Sequence, residues 1–152
     1  MEQYFAYAFY QKHNSTMINI ADLQDILPQS LAKELIFHAN KELLGPMFKD
    51  FGSENLIREL ASTLVGNIFL PSDYIINKDD IGSEMYFIVE GSVFIIAADK
   101  QTVVNTLFPG SYFGEVAVFF QTKRTSYCQA ETFCIINTLK KHDLDKITRS
   151  FP

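Results

Sequence analysis

The sequence contains no tryptophan, only two cysteines in 152 residues, no excess of positive charge and no apolar run long enough to cross a bilayer. Each shortage excludes something. Cys128 and Cys134 have no companion His or Cys at ligand spacing, so no metal site is expected and two buried, reduced thiols are. A net charge of −5 argues against a nucleic-acid partner held by bulk electrostatics, and any bound anion must be held by a local arrangement. The N-terminus lacks the signal-peptide pattern, and no stretch reaches the roughly 18 apolar residues of a membrane span. The expectation is a soluble, intracellular chain that does not itself insert into a membrane, which leaves open its being the cytosolic piece of a membrane protein. No Ser/His/Asp or Cys/His grouping and no pair of acids on one face is present, and His13, His38 and His142 are far apart in sequence, so no enzyme is expected.

What is present is a well-stocked apolar core: 47% hydrophobic residues, with 14 Phe and 7 Tyr. The chain changes character near Gly66. Before it the period is helical. Short helices are expected over 2–12 and 19–26, followed by one opening at Pro28 and closed by Gly45 and Pro46, with Leu31, Leu35, Ala39 and Leu43 as its inner stripe. A helical turn is expected over 47–51. Ser53 then caps a helix over 54–64 whose inner residues are Leu56, Leu60 and Leu64.

After Gly66 the pattern becomes short strands rich in Ile, Val, Phe and Tyr, over 67–70, 74–76, 85–90, 92–98, 102–107, 125–130 and 133–139. They are separated by Pro-Ser-Asp, Asp-Asp-Ile-Gly, Glu-Gly, Ala-Asp-Lys and Pro-Gly. Such spacing predicts a compact antiparallel barrel or jelly-roll-like β-roll, with a final helix over 141–151 that buries Leu144 and Ile147. The fold class is therefore α+β: short helices, a β-roll, then a helix.

One stretch carries chemistry, from Phe113 to Thr125. A strand ends at Gly114, a short apolar helical turn opens at Glu115, and the next strand begins at Arg124-Thr125. Free N–H groups beside a glycine, faced by a guanidinium fork and a threonine hydroxyl, suit phosphate oxygens. Glu115 beside a phosphate makes sense if it accepts a hydrogen bond from a sugar hydroxyl of the same ligand. It makes equal sense as a helix cap paired with Arg124 or Lys123 at the surface. Residue types alone leave both readings open.

Phe113-Gly114-Glu115 with Arg124-Thr125 resembles the phosphate-binding cassette of cyclic nucleotide-binding domains. Pro71-Ser72-Asp73-Tyr74-Ile75-Ile76 is similar to that family's Pro-Gly-Asp-x-Ile-Ile turn. Ile81-Gly82-Ser83-Glu84-Met85-Tyr86-Phe87-Ile88-Val89-Glu90-Gly91-Ser92-Val93 resembles its Gly-x-x-Met-Tyr-Phe-Ile-x-x-Gly-x-Val hairpin, and Leu107-Phe108-Pro109-Gly110-Ser111-Tyr112 resembles the approach to the cassette. The resemblance implies a binding domain over 53–152, a cassette over 113–125 and a penultimate helix over 141–151. It implies that Gly114 and Ala117 offer backbone N–H groups, Glu115 takes the ribose 2′-hydroxyl, Arg124 neutralises the cyclic phosphate, and Thr125 is compatible with cAMP and cGMP alike. Leu107 and Ile95 are candidate purine contacts.

Leu27-Pro28, Ser30-Leu31, Glu34-Leu35 and His38 resemble the C-linker of hyperpolarisation-activated and cyclic nucleotide-gated cation channels. That implies a partial C-linker over 1–52, the role of a cytosolic regulatory region, and neighbouring subunits in a tetramer. The alternatives are a regulatory domain of a kinase or other effector, and a ligand-free structural domain of a voltage-gated potassium channel. Arg124 speaks against the last. Ser72 and Asp79 stand where the family commonly has Gly, and both tolerate a left-handed turn. The family's final helix closes over the purine; the sequence ends at Phe151-Pro152, before such a helix, so weak binding with little base discrimination is expected.

Overall fold

The computed structural model describes residues 28–48 and 53–150, which fall into two compact units divided between Ser62 and Thr63. The helices expected over 2–12 and 19–26 lie outside the described residues, as do residues 49–52.

The first unit contains α1 (Gln29–Phe48) and most of α2 (Glu54–Thr63). Two expectations for α1 need correction. The helix does not close at Gly45 and Pro46 but runs through both to Phe48. A proline this near a helix end removes only one late hydrogen bond, and continuing for two residues buries Phe48 on the same face as Leu44. The stripe is also different. Phe37, Leu44 and Phe48 are buried, whereas Leu31 and Leu35 are exposed, Ala39 is exposed and Leu43 half-buried. At about 100° per residue, four-residue steps drift by about 40° each, so Leu31 to Leu43 fan across one side. Phe37, Leu44 and Phe48, at steps of seven and four, stay together on the other.

In α2 the expected cap is present. Ser53 Oγ accepts from the Leu56 N–H at 3.4 Å, and Leu56, Leu60 and Ala61 are buried. Arg58 joins the two helices: its guanidinium donates to Glu34 and to Glu54 Oε1 at 2.8 Å, and lies 4.0 Å from the Phe37 ring centroid.

The second unit is an antiparallel β-roll of two four-stranded sheets. Its strands are β1 (Val65–Phe69), β2 (Tyr74–Ile76), β3 (Glu84–Glu90), β4 (Val93–Ile96), β5 (Val103–Leu107), β6 (Tyr112–Phe113), β7 (Tyr127–Ala130) and β8 (Cys134–Lys140). One sheet runs β1-β8-β3-β6, the other β2-β7-β4-β5. Helix α3 (Glu115–Phe120) interrupts the roll between β6 and β7, and α4 (Lys141–Ser150) follows it. The α+β roll is thus the expected class, with the two-residue β6 supplying the strand that ends at Gly114.

Alternation decides which side chains enter the space between the sheets. Ile88, Val93, Cys128, Ala130, Cys134 and Ile136 point inward with Ile76, Tyr86 and Phe113, and the Tyr86 and Phe113 rings stack at 5.1 Å. Strand β8 is buried from Cys134 to Leu139, the polar Asn137 and Thr138 included. Its buried polar Thr138 is satisfied by Asn67 Nδ2 at 2.9 Å. Pro109 and Gly110 form the turn into β6, where Ser111 N–H bonds Phe108 O at 3.0 Å and Gly110 holds φ +93°, the geometry of a type II turn. In α4, Leu144 and Ile147 are buried as expected.

Both cysteines are free and buried. Burial pushes the Cys128 thiol from its ordinary 9.0 up to about 12, with Arg124 pulling it down and Glu115 pushing it up. Burial also raises Cys134. The folded state therefore holds protons that the unfolded state releases. The stability this confers is complete below pH of about 9 and falls as pH rises toward 12. Urea midpoints measured across that range are expected to drop, with both thiols unreactive toward a disulfide reagent at pH 7 until the protein unfolds. Rapid native-state labelling at pH 7 would contradict this.

Candidate functional site

The segment between β6 and β7 is shaped by two residues in the left-handed region. Gly114, φ +83° and ψ 4°, turns the chain out of β6 into α3, and Gln121, φ 52° and ψ 42°, ends that helix. α3 packs on the roll through Ala117 and Val118, both buried. The chain then returns along the loop ahead of β3. Lys123 bridges Ile81, Arg124 N–H donates to Asp80 O at 2.8 Å, and Asp79 N–H donates to Arg124 O at 2.9 Å. The backbone of Arg124 is therefore tied on both of its polar groups.

Its side chain is tied as well. Nη1 donates to Gly114 O at 2.8 Å and Nη2 to Glu84 O at 2.5 Å, and the residue is only 7% exposed. Both partners are neutral carbonyls. Among the described residues, no carboxylate lies within ion-pairing distance of Arg124, and Glu115 enters no ion pair with it or with Lys123. The charge is felt nearby: it opposes the burial that lifts Tyr86 to about 12, where Glu84 acts in the same direction as burial.

Arg124 forms part of the wall of a cleft of about 230 Å³. Gly114, Glu115, Ala117, Arg124, Thr125 and Ile95 all line it; Leu107 does not, and packs instead against the buried cluster between the sheets. Ile76, Ile95, Phe113 and Cys128 supply apolar surface, and Lys123, Ser126 and the half-buried Glu115 supply polar groups. One concave space thus brings a guanidinium, a carboxylate, a threonine hydroxyl and an apolar surface together. Among the described residues no cluster of His, Cys, Asp or Glu is placed to hold a metal ion, and no helix is long and apolar enough to cross a membrane.

The model of the family described as "Cyclic nucleotide-binding domain" matches residues 67–151, which contain every residue of this cleft. The chain belongs to the cyclic nucleotide-binding domain family. Curated relatives include potassium/sodium hyperpolarization-activated cyclic nucleotide-gated channel 4 of Homo sapiens, 28% identical over 144 residues. Cyclic nucleotide-gated channel beta-1 of Homo sapiens is 30% identical over 148 residues. Potassium/sodium hyperpolarization-activated cyclic nucleotide-gated channel 1 of Mus musculus is 29% identical over 138 residues. These alignments cover 93%, 94% and 88% of this chain, but only 12%, 12% and 15% of the respective relatives.

As a cyclic nucleotide-binding domain the chain carries two departures whose geometry is now visible. Ser72 and Asp79 hold φ +76° and +74°, the conformation that glycine would adopt most easily. Both are exposed, so their side chains need no buried space. Several residues near this cleft escaped the sequence reading. Ile76 and Cys128 are inward positions of β2 and β7, but alternation does not reveal which inward positions end at a cleft. Gly82 lay inside a recognised hairpin motif, with no local sign that it meets Ala117 and Arg124.

Proposed function

We propose that this domain binds a cyclic nucleotide, cAMP or cGMP, with Arg124 on the cyclic phosphate and Glu115 on the ribose 2′-hydroxyl. Gly114 and Ala117 contribute backbone N–H groups, Thr125 its hydroxyl, and Ile95 apolar surface for the base, with Leu107 behind it. The observation that carries this reading is the Arg124 charge: nearly buried, held by two carbonyls, and without a carboxylate partner among the described residues. A buried charge lacking a counter-charge is costly, and an anion entering the cleft would offset that cost. Glu115 stands in the same lining and supplies the acceptor that a ribose requires.

In the whole protein we place this domain on the cytosolic side of a membrane, as the regulatory region of a ligand-modulated cation channel. The support is the naming of the relatives above. Residues 1–52 then correspond to part of a C-linker and 53–152 to the binding domain, with neighbouring subunits of a tetramer as partners. Nothing in this reading calls for catalysis.

Thermal unfolding with added nucleotide tests the binding. A ligand that binds only the folded state stabilises it by about 2.7 kcal/mol at a hundred times its Kd, which amounts to several degrees for a domain of this size. Such a rise is expected with cAMP or cGMP and not with 5′-AMP at equal concentration. An unchanged midpoint at millimolar concentrations of both cyclic nucleotides would contradict the proposal.

A further inference from the structure

Glycine at position 82 is not required by the backbone. Gly91, Gly110 and Gly114 hold positive φ, whereas Gly82 does not, so an alanine there would meet no left-handed strain. What excludes a side chain is space. A Cβ on Gly82 would lie 2.2 Å from Ala117 Cβ, 2.9 Å from Arg124 Cζ and 3.0 Å from Arg124 Nε. The bare α-carbon of Gly82 is thus the surface against which both α3 and the Arg124 guanidinium rest.

Neither neighbour can yield cheaply. Arg124 is held by its backbone to Asp79 and Asp80 and by its fork to Gly114 O and Glu84 O. Moving the guanidinium stretches or reorients these bonds. Gly114 makes a similar approach, since a Cβ there would stand 2.8 Å from Arg124 Nη1. Two glycines thus approach the guanidinium closely, Gly82 at Cζ and Nε and Gly114 at Nη1.

We infer that Gly82 is a positioning residue for anion binding: by lacking a side chain it fixes where the Arg124 guanidinium meets the ligand. This rests on the reading that Arg124 takes the cyclic phosphate. A fork of parallel N–H donors demands close registration with phosphate oxygens, so a shift of a few tenths of an ångström to an ångström is costly. The role is distinct from general support of the roll, because it acts through one side chain.

A double-mutant cycle separates the two roles. Kd for cAMP and for cGMP is measured by calorimetric titration on the full chain, as wild type, Gly82→Ala, Arg124→Ala and the double variant, with thermal midpoints recorded for each. Gly82→Ala is expected to weaken binding at least about tenfold in the wild-type background. In the Arg124→Ala background it is expected to add no further loss, while lowering the thermal midpoint in both. Equal fold losses in the two backgrounds, or no loss in either, would overturn the inference. Should Gly82→Ala fail to fold, Gly82→Ala with Ala117→Gly moves the methyl group across the contact and relieves the closest overlap. That variant is expected to fold and still to bind at least about tenfold more weakly than wild type, because the clash with Arg124 persists. Wild-type affinity in it would show that only the seat of α3 matters, and would overturn the inference. Failure of the wild type to bind either nucleotide would remove the underlying reading instead, an outcome distinguishable from all the others.

Discussion

Arg124→Gln is expected to weaken cyclic nucleotide binding by roughly 30- to 4,000-fold, the equivalent of about 2–5 kcal/mol for removing one partner of a desolvated charge pair. The substitution keeps an amide that can still donate to one of the two carbonyls, so the loss reports on charge and fork geometry more than on collapse of the loop. The protein itself is expected to remain folded, because what disappears is a buried charge without a carboxylate partner among the described residues. Arg124→Lys should fall between, since an ammonium keeps the charge but cannot donate from a planar fork. Calorimetric titration, with a circular dichroism melt to establish folding, measures both. An affinity for Arg124→Gln within threefold of wild type would mean that the anion is held elsewhere.

The second large effect concerns stability. Gly91 sits in the turn between β3 and β4 at φ +89°, and a Cβ there would lie 2.2 Å from Phe133 O, 2.8 Å from Cys134 Sγ and 3.0 Å from Cys134 Cα. Two of those three atoms belong to backbone. The surroundings are closely bonded: Ser92 N–H donates to Thr132 Oγ1 at 3.1 Å, Ser92 Oγ to Glu131 Oε2 at 2.7 Å, Glu131 N–H to Ser92 O at 3.0 Å, and Cys134 Sγ to Ser92 O at 3.2 Å. Gly91→Ala therefore combines left-handed strain of about 1–2 kcal/mol with overpacking of about 1–3 kcal/mol. A loss of about 2–5 kcal/mol in urea unfolding, with an unchanged m-value, is expected. A loss below about 0.5 kcal/mol would contradict the packing described here.

The contrast among the turn residues and glycines shows what the sequence could and could not convey. Ser72 and Asp79 were recognisable as turn residues from their neighbours Pro71, Asp73 and Asp80, and their positive φ is local chemistry. Gly82 and Gly91 look alike in sequence, yet one is needed for space alone and the other for space and φ together. That difference depends on Ala117, Arg124 and Phe133, which lie 35 to 42 residues further along the chain. Strands β3, β4, β7 and β8 were legible because short apolar runs between turn residues at regular spacing record burial within a sheet. The face of α1 was misread because Leu31, Leu35, Ala39 and Leu43 make a tidy four-residue series, whereas burial followed Phe37, Leu44 and Phe48. Large side chains at closer to helical period outweighed the more regular leucine spacing. Within the cleft, the charged and small residues were legible through their order in a motif. The apolar surface of Ile76, Phe113 and Cys128 was not, because sequence does not distinguish core from cavity wall.

The central claim is that one cleft holds the phosphate on Arg124 and the ribose on Glu115. A crystal structure of this chain with cAMP or cGMP tests it most directly. The expected complex has a phosphate oxygen within hydrogen-bond distance of the Arg124 guanidinium, the 2′-hydroxyl on the Glu115 carboxylate and the base over the apolar surface beside Ile95. Nucleotide bound elsewhere on the roll, or bound here with its phosphate turned away from Arg124, would contradict it.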